Sequence, residues 1–211
     1  VPDSGAQLQP AEVTKLTCPR CRFPARFVPL AALEFRCSRC EWAFNLAAPS
    51  VSSPAVPASG TATTNLVANG SGTVVAVTIS SGTLTFVYVS GVQAGTTAGT
   101  YLVPVGGTIS VTYSVAPTWA WALPVTSASA GAGGTSLTFA PTGTNVAFTA
   151  EQVLIVDPSG TSDVVKVNGT ATATSVPVNS LNLAHNSGVS VTVAVLTPAL
   201  SSVEAVPQTT F

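Results

Sequence analysis

The sequence predicts an all-β protein: an N-terminal zinc ribbon followed by two small antiparallel β-sandwich or barrel domains. Three observations predict it. Apolar residues recur with period two after Thr61, as in Val75, Val77 and Ile79 and again in Ile109, Val111, Tyr113 and Val115. Successive strand residues point to opposite sides, so each run offers one apolar face. The runs are rich in β-branched Val and Thr and are punctuated by Gly-containing turns, which suits short strands and not helices. Four cysteines stand in two C-x2-C pairs, Cys18/Cys21 and Cys37/Cys40, the spacing of a tetrahedral thiolate metal site.

The elements follow in order. Residues 1–15 are polar and aperiodic and read as an arm. Residues 16–47 hold all four cysteines. Each pair sits on a tight turn that aims two sulfurs at one point, with short strands over 23–28 and 34–36 joining the turns. So small a module cannot bury enough core alone, so the zinc would supply its folding free energy. Phe23, Phe27, Phe35, Trp42 and Phe44 would pack around it. Four thiolates leave no open coordination position, so one structural zinc is expected and not a catalytic one. Two disulfides are the alternative and would require an oxidising compartment. A thioredoxin-like redox pair lacks its βαβ surroundings.

Residues 48–60, with Pro49, Pro54 and Pro57, favour extended backbone and read as a semi-stiff linker. Residues 61–126 form the first β domain, with turns at Ser81-Gly82 and Gly106-Gly107. Residues 127–134, SASAGAGG, read as a flexible joint. Residues 135–197 form the second domain. In it Asp157-Pro158-Ser159-Gly160 stops the run Val153–Val156, and Asn168-Gly169 is a hairpin signal between 164–167 and 170–178. Residues 198–211 read as a tail.

Charge excludes several classes of function. Of 211 residues 7 are basic and 8 acidic, 7 % in all, against roughly 25 % in an ordinary domain. Glu41 and Glu151 are consecutive charged residues, so residues 42–150 carry none. A broad phosphate-binding surface needs many Lys and Arg. A disordered chain needs high charge and low hydropathy, whereas mean hydropathy here is +0.49. No run approaches the ~18 apolar residues of a spanning helix. The N-terminus lacks the basic segment and apolar core of a secretory signal, so the sequons at Asn69 and Asn168 read as turns. Residues 1–48 carry a net charge of +2, which is thin for nucleic-acid binding. The arginines of the knuckles, Arg20 and Arg39 among them, read first as counter-charges to the thiolates or as protein contacts.

Other residues are candidates for chemistry or binding. His185, the one histidine, has no evident nucleophile or orienting partner and reads as structural. Glu151, Asp157 and Asp163 could hold a cation with backbone carbonyls, but no D-x-D-x-D-G loop is present and a solvated turn face is the simpler expectation. Trp119 and Trp121 lie two apart and share one strand face. They are either core or a partner-binding patch.

Residues 99–121, with Pro104, the Gly106-Gly107 turn, an alternating strand and Ala116-Pro117-Thr118-Trp119, resemble the small β-domains of tailed-phage virion proteins, especially those of phages of actinobacteria. Residues 151–195 are similar to a second β-module of phage head and structural proteins. The resemblance implies a non-enzymatic virion protein on the capsid surface, made in the host bacterial cytoplasm. It would be a decoration or minor capsid protein that binds the major capsid protein and neighbouring copies as an oligomer, for instance a trimer. The rival expectations are a tail- or fibre-associated virion protein, a zinc-ribbon nucleic-acid-binding or scaffolding module, and an adhesin using Trp119 and Trp121.

Overall fold

The computed structural model describes residues 20–21, 27–31, 34–37, 39–65, 72–143 and 147–198. Among them it is all-β, with no helix. The strands are β1 Phe27–Ala31, β2 Glu34–Cys37, β3 Ala43–Ala47, β4 Ala62–Thr64, β5 Val75–Ser80, β6 Thr83–Val89, β7 Val92–Gly95 and β8 Gly99–Val103. They continue as β9 Thr108–Val115, β10 Thr118–Ala122, β11 Ser136–Thr138, β12 Val153–Val156, β13 Asp163–Lys166, β14 Ser175–Pro177, β15 Val191–Val193 and β16 Val195–Pro198. They pair into sheets ordered β1-β2-β3-β16, β4-β9-β6-β7, β10-β5-β8, β11-β14 and β13-β12-β15. The expected arm, 1–15, and most of the expected tail lie outside the described residues.

Period two does what it predicts within β5. Val75, Val77 and Ile79 face one side, and with Tyr101 and Val103 of β8 and Trp119 and Trp121 of β10 they meet Val87, Val89, Ile109 and Val111 of the β4-β9-β6-β7 sheet. The turns at Ser81-Gly82 and Gly106-Gly107 are not hairpins, since each carries the chain from one of these sheets to the other. Ser81 and Gly82 both have positive φ, 59° and 74°. A Cβ at Gly82 would lie 2.7 Å from the Pro117 and Val115 backbone, so this corner needs glycine.

The opposite side of the same strands is apolar as well. Val74, Ala76 and Leu102 are buried with Leu137, Leu154, Val176 and Leu181 of the second half in one cluster. The β10-β5-β8 sheet therefore has apolar packing on both faces. Residues 135–197 share their core with Val74, Ala76 and Leu102 of the first half, while the tryptophan core is built from residues 51–121 alone.

Three connecting segments also differ from expectation. The joint at 127–134 is tied down. Ala130 and His185 exchange backbone hydrogen bonds at 2.9 and 2.8 Å, and the Gly133 N–H donates to the Leu181 carbonyl at 2.7 Å. Glycine here permits close backbone pairing instead of loose movement. Asn168-Gly169 closes only an isolated Val167–Val178 bridge, while β14 pairs with β11. Neither residue has the positive φ that a tight two-residue hairpin requires. Finally, β16 leaves the second domain and pairs with β3, Leu196 opposite Leu46. The sheet of β1, β2 and β3 is thus completed by the last strand of the described residues.

The linker at 48–60 is a docked strap. Val51 and Val56 pack on the tryptophan core. The Trp119 Nε1–H donates to the Pro54 carbonyl at 2.8 Å, the Trp121 N–H to Ser53 Oγ at 2.7 Å and the Tyr113 hydroxyl to the Pro57 carbonyl at 2.8 Å. Proline has no N–H, so a Pro-rich extended chain offers mostly acceptors. Here the Trp119 ring N–H, the Tyr113 hydroxyl and the Trp121 backbone N–H each take up one acceptor of the strap.

Candidate metal centre

Three of the four predicted ligands come together. Cys21 lies on a turn, Cys37 ends β2 and Cys40 lies on the next turn. Their Sγ atoms are all within 4.8 Å of one another, and Cys21 Sγ and Cys37 Sγ are 3.9 Å apart. A tetrahedral ion with ~2.3 Å metal–sulfur bonds places its sulfurs about 3.8 Å from each other. A disulfide needs ~2.05 Å, far shorter than the Cys21–Cys37 sulfur separation. Cys18 lies outside the described residues. The donor set is soft and Cys37 is fully buried, which suits a thiolate-binding metal such as zinc or iron and not a hard cation.

The second knuckle is built from backbone. The Glu41 N–H donates to the Cys37 carbonyl at 2.8 Å, and the Cys37 N–H donates to the Trp42 carbonyl at 3.0 Å. This loop brings Sγ of Cys37 and Cys40 to one side. It forces Glu41 to a φ of 56°, a left-handed conformation that costs a residue with a Cβ about 1 kcal/mol. Trp42 does not pack in the small core expected of it. It is 40 % exposed, and the Arg20 guanidinium lies 3.5 Å over its ring. The stack joins the first knuckle to the second. Arg20 and Arg39 are both exposed. Phe27, Phe35 and Phe44 lie on β1, β2 and β3, and Phe23 falls outside the described residues.

Trp119 and Trp121 are core residues. They are 9 % and 8 % exposed, with ring centroids 5.7 Å apart edge to face. Pro54 and Ser53 cover them. They offer no open patch to a glycan or a partner.

The acidic residues separate. Asp163, expected on a solvated turn, is 1 % exposed. Its carboxylate accepts from the Asn182 N–H at 2.7 Å, Asn182 Nδ2 at 3.0 Å and the Leu183 N–H at 3.2 Å. His185 is buried as well, its Nε2 3.8 Å from Asp163 Oδ2. Sequence reasoning missed this pair because the partners lie about twenty residues apart and Asp163 follows a turn. Glu151 stays exposed, its carboxylate 3.5 Å from Lys166 Nζ. Among the described residues these carboxylates form no metal-binding group.

The charge-free span forms an open sheet face. Opposite the buried Val87, Val89, Ile109 and Val111, the register lines up Ala62, Ser110, Tyr88 and Gln93 in one row and sets Phe86 beside Thr112. The Phe86 and Tyr88 rings are 6.0 Å apart. Val115 and Val92 at its margins are 58 % and 63 % exposed.

No protein-family model, curated protein or solved structure matches the chain. Among the described residues, no helix is long and apolar enough to cross a membrane.

Proposed function

We propose that the chain is a non-enzymatic structural protein of a tailed-phage particle, a decoration protein that docks on the capsid lattice and on neighbouring copies. The observation that carries this reading is the uncovered, charge-free face of β4, β9, β6 and β7. A face of Thr, Ser, Phe and Tyr can be buried against another protein without desolvating a charge. Many weak contacts per particle then reinforce one another. The two sheets around Trp119 act as a β-sandwich, stiffened by the strap. The cysteine module takes one zinc through Cys18, Cys21, Cys37 and Cys40. That ion pins both knuckles, and through β3 and β16 it holds the two ends of the described chain together.

Cryo-microscopy of particles that contain the protein tests this reading. The expected density lies on the outside of the capsid, with the Phe86–Tyr88 face against a protein neighbour. Density confined to the tail overturns the head assignment. Absence from purified particles overturns the virion reading.

A further inference from the structure

We propose that the Asp157–Pro158 bond is a self-cleavage site, at which the Asp157 side chain breaks its own peptide bond in a single turnover assisted by Gly160 and Ser162.

Several features meet at this turn. Asp157 has a φ of 55°, and the residue it precedes is proline, whose Cδ narrows the conformations open to its predecessor. Strained backbone of this kind persists where the surrounding structure imposes it. The surroundings do impose it. The Asp157 N–H donates to the Ser190 carbonyl at 2.8 Å, and Val156 pairs with Asp163 across the turn.

The Asp157 carbonyl oxygen carries two donors. The Gly160 N–H lies at 3.1 Å and the Ser162 hydroxyl at 3.0 Å. Two fixed donors on one carbonyl stabilise the negative charge that develops there when a nucleophile adds. The nucleophile is at hand in the same residue. The Asp157 carboxyl group is folded over the turn, since a Cβ at Gly160 would lie 2.3 Å from Asp157 Oδ2. Glycine at 160 is what leaves room for it. Ser159 and Gly160 are exposed, so water reaches the turn.

The chemistry balances without a cofactor. A carboxyl oxygen of Asp157 adds to the carbonyl carbon of the same residue and closes a five-membered ring. The carbon–nitrogen bond to Pro158 breaks, and its electron pair stays on the Pro158 nitrogen. That nitrogen takes the carboxylic proton and leaves as a secondary amine. Water then opens the cyclic anhydride to two carboxylic acids. The sum is hydrolysis of one peptide bond. The cut falls between β12 and β13, whose pairing from Val153–Lys166 to Val156–Asp163 holds the pieces together in the folded state.

The test compares the full chain folded and urea-unfolded in the same mildly acidic buffer, followed by denaturing intact-mass analysis and N-terminal sequencing. A fragment beginning at Pro158 is expected to accumulate roughly 5- to 150-fold faster from the folded chain, where the backbone strain is released on cleavage. Asp157→Gly keeps the positive φ and removes the carboxyl group, and it is expected to abolish the cut. Ser162→Ala removes one carbonyl donor and is expected to slow it at least about tenfold. Equal rates from folded and unfolded chain, cleavage that survives in Asp157→Gly, or an unchanged rate in Ser162→Ala overturns the proposal.

Discussion

Leu102→Ala tests the shared core directly. Leu102 sits on β8 between Tyr101 and Val103. Those two face the tryptophan core, while Leu102 faces the cluster built with Leu154, Val176 and Leu181. It is 4 % exposed, so truncation leaves a cavity between the two halves of the chain. Leu→Ala changes at such sites cost about 2–5 kcal/mol. Taking about 3 kcal/mol and a urea slope of about 2–3 kcal/mol per molar, the midpoint falls by roughly 1–1.5 M. The assay follows urea unfolding by two probes in a Trp42→Phe background. Tryptophan fluorescence then reports only Trp119 and Trp121, on the other face of the sheet, and far-UV circular dichroism reports all strands. The expected outcome is one transition that moves by the same amount in both probes. The backbone of β8 serves both cores, so neither can melt alone. A tryptophan transition that stays in place while the dichroism signal splits refutes the shared-core reasoning.

Three further outcomes follow from the geometry. Elemental analysis should find one thiolate-bound metal per chain, and chelation or Cys37→Ser should expose residues 20–47 to protease while the tryptophan core remains folded. Asp163→Ala strands the Asn182 and Leu183 N–H groups in a buried site and should lower stability by about 3–5 kcal/mol, read as a thermal shift; a change below about 1 kcal/mol would mean the carboxylate is not their essential acceptor. Hydrogen exchange of the protein assembled on particles should show greater added protection over residues 83–115 than over residues 157–170. The reverse order would place the docking surface elsewhere.

The sequence by itself determined the all-β class, the strand faces and the cysteine cluster. These depend on local rules: alternation of Val with Thr or Ser along one strand, and the reach of a C-x2-C turn. Cys21, Cys37 and Cys40 converge as their spacing predicts. The tertiary structure decided what each surface meets. Ala76 reads as the small residue between Val75 and Val77 until a second cluster, which also takes in Leu102, covers it. The segment at 48–60 reads as a spacer until the donors of Trp119 and Tyr113 meet its proline carbonyls. Asp163 reads as solvated until Asn182 folds over it. In each case the deciding partner lies between about twenty and about one hundred residues away. Hydrophobic burial and hydrogen-bond satisfaction act on what is adjacent in space, and the local pattern of a sequence does not carry that adjacency.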